Sequence, residues 1–235
     1  MLKSLEQVIE KVSNPEKAKL LQRFFKTGKD EYGEGDIFLG IIVPEQRKIA
    51  KEFQNLTLEE LQQILNSKIH EKRLIALLIL IEQYKKATKE KNEQEKEKIF
   101  DFYLKNTRNI NNWDLVDLSC HKIIGQYLSD KKRDLLYKLA KSNNLWERRI
   151  SIISTFAFIH YLQFEDTIKL AELLLQDKHD LIHKAVGWAL REVGKKDKHI
   201  LIDFLDKHYK IMPRTMLRYS IEKLNDKERK FYLGR

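Results

Sequence analysis

Apolar residues recur along this chain three and four positions apart, with no convincing alternating stretch. Leu58, Leu61, Ile64 and Leu65 form one run, Leu135, Leu136 and Leu139 a second, and Ile168, Leu170, Leu173 and Leu174 a third. That period lines one face of a helix, so the pattern predicts an all-α protein. Pro15, Pro44 and Pro213 each stand where a helix would begin, a position proline tolerates. Two stretches break the pattern. Lys86 to Lys98 is almost wholly polar and reads as an exposed loop and the start of a helix; Thr27 to Asp36 has three glycines and no helical face, and reads as a loop.

The helices come in related pairs. Lys72-Arg73-Leu74-Ile75-Ala76-Leu77, Arg148-Arg149-Ile150-Ser151-Ile152-Ile153, Lys184-Ala185-Val186-Gly187-Trp188 and, more weakly, Arg214-Thr215-Met216-Leu217 share a charged opening followed by small and apolar residues. Arg148 to Lys184 spans 184 − 148 = 36 residues, and Lys72 to Arg148 spans 148 − 72 = 76, close to two such units. The missing member falls near residue 113. A repeat of this size built from helix pairs predicts a right-handed, curved α-solenoid of HEAT-like repeats, a single domain over residues 1–235. The segments that carry Arg, Lys and Trp are expected on the inner, concave surface.

Charge sharpens this picture. The 235 residues hold 45 Lys and Arg against 35 Asp and Glu, a net charge of +10. Such an excess favours a polyanionic partner, nucleic acid first, but on charge alone a merely solvated Lys-rich surface accounts for it equally well. Length alone suffices for a sizeable core. The one cysteine, Cys120, excludes an intramolecular disulfide and fits a reducing cytoplasm. No apolar signal core follows Met1, and the most apolar run, Leu74 to Ile81, is too short to span a bilayer. A cytoplasmic monomer without membrane contact is expected, nucleoid-associated when bound to DNA. No Walker loop, Gly-x-Gly-x-x-Gly, zinc-spaced Cys or His pair, or Ser elbow is present, and the seven histidines are scattered, so neither a metal nor a nucleotide cofactor is expected.

Against that basic background, Asn111-Asn112-Trp113-Asp114-Leu115-Val116-Asp117 stands out. Acidic groups add nothing to DNA affinity, so a carboxylate on a DNA-facing surface needs another reason. Asn111 or Asn112 can cap a helix, and the helix dipole favours Asp114 in the first turn. Those reasons fit Asp117 less well, because it falls four residues after Trp113 on the same face. Trp146 reads as a core or staple residue. Arg148 and Arg149 point to different faces, so at most one faces the groove, where a phosphate contact competes with an ordinary ion pair. Lys184, Trp188 and Arg191 form one stripe that suits phosphates and stacked bases; the competing reading buries Trp188 behind Gly187.

These three segments resemble the AlkD type of HEAT-like-repeat DNA alkylation repair proteins, which are alkylpurine DNA glycosylases. The resemblance runs from about Phe38 to about Lys223 and rests on Trp113-Asp114-Leu115-Val116-Asp117, Leu145-Trp146-Glu147-Arg148-Arg149 and Lys184-Ala185-Val186-Gly187-Trp188-Ala189-Leu190-Arg191-Glu192. It implies a metal-free, monofunctional glycosylase for N3- and N7-alkylated purines in double-stranded DNA. By the resemblance, Trp113 and Trp188 flank the deoxyribose of the lesion, Asp117 is the catalytic carboxylate, and Arg149 lies beside the DNA backbone. Arg148, Lys184 and Arg191 are the further DNA-binding candidates. The chain departs from the family where the Gly-rich Thr27–Asp36 stretch stands for an N-terminal helix, and where Asp180 and Leu181 stand for an aromatic pair. Two readings compete with the enzyme: a non-catalytic binder of duplex or branched DNA, and a protein-binding scaffold.

Overall fold

The computed structural model describes residues 1–234, and among them the regular structure is all helical apart from one isolated parallel bridge between Ile37 and Ile69. Contacts gather the chain into two compact units, Met1–Leu115 and Val116–Arg235. No helix among the described residues is long and apolar enough to cross a membrane.

The first unit is built around one buried helix. Helices α1 (Leu2–Val12), α2 (Pro15–Phe24), α3 (Val43–Glu52), α4 (Leu58–Leu65), α5 (His70–Lys89) and α6 (Glu93–Lys105) follow in order. Asn14 accepts from the Lys17 backbone N–H ahead of Pro15, and Thr57 with Glu60 forms a capping box on α4. Every residue from Leu74 to Ile81 is buried, because α3, α4 and α6 all pack on α5. A large aliphatic side chain so placed contributes about 1.5–3 kcal/mol. The segment before α3 is pinned by Glu71, whose buried carboxylate accepts from the backbone N–H groups of Leu39, Gly40 and Ile41 at 2.8–3.3 Å. Gly40 sits at φ +81°, and a Cβ there would come within 2.1 Å of the Asn14 carbonyl oxygen, so this crossing demands glycine.

In the second unit, α9 (Leu145–Ser154) and α12 (Asp180–Lys196) are the central helices. Around them stand α8 (Asp134–Ala140), α10 (Phe156–His160), α11 (Glu165–Leu173), α13 (Lys198–His208), α14 (Arg214–Ser220) and α15 (Asp226–Leu233). Helix α7 (Trp113–Cys120) begins in the first unit and continues into a π-helical turn, His121–Gly125, in the second. At Gly187, α12 meets α14 so closely that a Cβ would lie 2.5 Å from the Met216 carbonyl oxygen.

The charged openings named from the sequence all fall in helices, in α5, α9, α12 and α14, and the expected fifth is α7. Pro15 opens α2, Pro44 is the second residue of α3, and Pro213 directly precedes α14. Two expectations are corrected. Leu173 is exposed, and the buried face of α11 is Leu170 and Ala171, continued by Leu174. Most of Lys86–Lys98 is helical: α5 runs on to Lys89, with Ala87 buried, so only Glu90–Asn92 links it to α6. The Thr27–Asp36 stretch is a series of turns, as its glycines predict.

Candidate functional site

In the first unit, the start of α7 is anchored from below by charge and from the side by aromatic rings. Asn112, fully buried, accepts from the Trp113 N–H at 2.8 Å. Asp114 is no solvent-facing first-turn charge, as helix-dipole reasoning would have it. It is buried, and its Oδ2 lies 2.8 Å from Nε2 of His70, the first residue of α5. Nδ1 of His70 lies 3.0 Å from Asp36 Oδ2, and the Arg73 guanidinium meets Asp36 Oδ1 at 2.6 Å. Two carboxylates thus face two cations. Burial opposes the charge on Asp36, but the His70 hydrogen bond and the Arg73 guanidinium hold its carboxyl below the usual range. Burial likewise opposes charging of His70, yet the Asp114 charge and the two carboxylate hydrogen bonds outweigh it and push the ring up to about 9. At neutral pH His70 is therefore an imidazolium that donates from both nitrogens.

Above this network the rings form a stack. Trp113 lies parallel to Phe25 at 5.3 Å, Phe25 to Phe38 at 4.9 Å, and Phe38 to His70 at 4.6 Å. Phe24, largely exposed at the end of α2, meets Trp113 edge-on at 6.1 Å. The Trp113 indole N–H donates to the Tyr32 hydroxyl at 3.2 Å. The Gly-rich stretch therefore supplies a partner to Trp113. None of Phe24, Phe25, Tyr32, Asp36 or His70 was singled out from the sequence, because the partners that join them to α5 and α7 stand at least 34 positions away. The signals that could have found them are paired aromatics just before a glycine-rich break and a histidine at the mouth of an apolar helix.

In the second unit Asp117 and Arg149 come together. Nε and Nη2 of Arg149 each donate at 2.8 Å to one oxygen of Asp117, a two-pronged pair, and Nη1 donates to the Leu181 carbonyl oxygen. Both are nearly buried, with side-chain exposures of 5% and 10%. The fork fixes the plane of the carboxylate, which a Lys point charge could not do. Next to it, burial and the Lys122 charge lower His121 to about 4, so its ring is neutral. Phe156 packs edge-on against Trp188 at 4.6 Å, and the Trp188 N–H donates to Glu192 at 3.1 Å. Trp188 is half-buried rather than sealed behind Gly187, which serves the α12–α14 crossing instead. Cys120 is buried and its thiol is pushed up by burial, so it is inert.

The remaining candidate cations each hold a carboxylate. Arg148 meets Asp177 at 2.6 Å and the carbonyl oxygens of Ser142 and Asn143. Lys184 meets Asp180 at 2.6 Å, and Arg191 pairs with Glu222. Trp146 is in the core. Among the described residues no group of three His, Cys, Asp or Glu side chains could hold a metal ion.

Comparison with known proteins agrees with the helical architecture. A family model described as DNA alkylation repair enzyme matches residues 5–224. A predicted DNA alkylation repair enzyme from Enterococcus faecalis superposes with a TM-score of 0.65 at 18% identity, covering 91% of this chain and 97% of that one. AlkD2 from Streptococcus mutans superposes with a TM-score of 0.55 at 16% identity, covering 89% and 97%. No curated protein matches the sequence.

Proposed function

Since the chain belongs to the DNA alkylation repair enzyme family, we propose that it hydrolyses the N-glycosidic bond of N3- and N7-alkylated purines, as a monomer on double-stranded DNA. The observation that carries this reading is the Asp117 carboxylate, held in one plane by the Arg149 fork. An alkylated purine is already cationic, so the C1′–N9 (or equivalent) bond breaks with its electron pair going to the base, which leaves neutral. The sugar is left as an oxocarbenium-like cation. A carboxylate beside C1′ stabilises that charge and accepts a proton from the water that adds there, leaving an abasic site. No acid has to protonate the leaving base, so one carboxylate suffices.

Under this proposal the Trp188 face adds cation–π attraction to the same developing charge. The resemblance gives Trp113 a like part. Arg149 holds Asp117 oriented, and the resemblance sets it beside the DNA backbone; Arg148, Lys184 and Arg191 exchange their carboxylates for phosphates when DNA binds.

The experiment is base release from duplex DNA carrying 7-methylguanine and 3-methyladenine. Wild-type protein should release both free bases. Asp117→Asn, nearly isosteric, should lose on the order of 10²-fold or more in single-turnover rate, the scale of removing one preorganised electrostatic group. Asp117→Asn at the wild-type rate would sink the assignment. No release by the wild type with duplex still bound would replace the enzyme by the non-catalytic DNA binder.

A further inference from the structure

At the end of the second unit, an open cavity of about 340 Å³ lies between α14 and α15, at the small end of ligand-binding cavities. Its wall carries three arginines: Arg214 and Arg218, one turn apart on α14, and Arg229 from α15. All three are exposed, as is Tyr219 beside them. The acidic residue on the wall, Glu222, is already engaged by Arg191 and Lys223. Arg229 has a loose contact of 3.6 Å with Asp226, which is 90% exposed. Arg214 donates to the Leu233 carbonyl oxygen, and Arg218 has no carboxylate partner among the described residues.

This sets the cavity apart from Arg148, Arg149, Lys184 and Arg191 on α9 and α12, each of which holds a carboxylate. Three guanidinium groups around one open space repel one another, and the two carboxylates nearby offset that only in part, Glu222 being shared with Arg191 and Lys223 and Asp226 meeting Arg229 loosely at the surface. An anion would offset the rest. Guanidinium forks match the oxygens of a phosphate, and a half-exposed tyrosine ring beside them can stack a base or sugar. We propose that the Arg214–Arg218–Arg229 cavity is a phosphate-binding site, separate from the Asp117 centre. The phosphate comes either from a nucleic-acid backbone or from a free phosphate species. The site stands whether or not Asp117 supports base release.

The test uses the full chain and an unmodified, fluorescein-labelled duplex, so it does not depend on glycosylase activity. Binding is followed by anisotropy across a salt series. Arg218→Gln should weaken binding several-fold and lower the log–log salt slope by about 0.9, one phosphate contact; adding Arg214→Gln should lower it by about the same again. Arg218→Lys, which keeps the charge, should recover most of the slope. In a second arm inorganic phosphate alone is titrated while the Tyr219 ring is observed by NMR. A changed slope assigns the site to a polynucleotide backbone. An unchanged slope with a saturable Tyr219 shift that Arg218→Gln abolishes assigns it to free phosphate. An unchanged slope and no saturable shift overturn the proposal. Arg218 is exposed and has no ion pair among the described residues, so the single variant remains decisive even if the pair with Arg214 is unstable.

Discussion

His70→Gln tests the buried charge network under Trp113. His70 rises from its ordinary 6.5 to about 9 in the folded state. A raised histidine stabilises the fold fully below 6.5, because the folded state binds a proton the unfolded chain holds less tightly. That contribution fades as pH rises from 6.5 and is gone above about 9. At about 1.4 kcal/mol per pH unit it amounts to roughly 3 kcal/mol at its fullest. Asp36 acts in the opposite sense: its lowered value adds stability above the ordinary aspartate range, lost in acid. The network is therefore strongest between about pH 4 and 6.5. His70→Gln keeps one amide hydrogen-bond donor but removes the charge from between Asp36 and Asp114. The expected loss at pH 6 is about 3–5 kcal/mol, as for other broken buried pairs, shrinking steadily towards pH 9. Urea unfolding at pH 6, 7, 8 and 9, followed by tryptophan fluorescence and by hydrogen exchange of α5 and α7, measures both slopes. Parallel stability curves for wild type and variant would refute the reasoning, since they would mean that His70 binds no extra proton in the folded protein.

Other outcomes follow from the same geometry. Gly187→Ala brings a Cβ to 2.5 Å from the Met216 carbonyl oxygen, so α12 and α14 must part; a loss of about 1–3 kcal/mol, the usual scale of overpacking, should appear in denaturant unfolding. Arg149→Lys should cut single-turnover base release at least about tenfold with little change in fold, because Lys cannot hold both Asp117 oxygens; circular dichroism separates the two effects. Tyr32→Phe removes the Trp113 N–H acceptor at 3.2 Å and should cost about 1 kcal/mol, with a shifted Trp113 emission as its local signature.

The residues legible in the sequence are those whose signal is local. Helical spacing identified α4, α8 and most of α11 because each buries one face. It mistook the phase of α11, since a run of neighbouring leucines offers two faces and only packing chooses between them. It also stopped α5 too early: the polar tail to Lys89 stays helical because Ala87 and Tyr84 are buried against neighbours that no local window contains. Asp117 and Arg149 could be named as candidates from types and motif, but not as a pair, since 32 positions separate them. Asp114 went furthest astray. Its place in a first turn explained it completely from local rules, and its actual partner is a histidine 44 positions away.

The same contrast governs the charges. Net charge counts every Lys and Arg alike, and on that count α9 and α12 looked like the nucleic-acid surface. Folding brings Asp117, Asp177, Asp180 and Glu222 onto those very cations, and an arginine already forked to a carboxylate must give up that bond to take a phosphate. The gain is then a difference between two similar interactions, which favours selectivity over raw affinity. Among the described residues Arg218 has no such bond to surrender. Arg149, by contrast, serves the proposed chemistry through its pairing: replacing its carboxylate partner leaves a nearly buried guanidinium uncompensated. Asp117→Asn should accordingly lose stability, by about 3–5 kcal/mol if the amide recovers none of the pairing, as well as activity. Asp117→Asn/Arg149→Gln, which removes both charges, should regain part of that stability and none of the base release. If the double variant were no more stable than Asp117→Asn alone, the Arg149 fork would not be the partner that holds Asp117 in place.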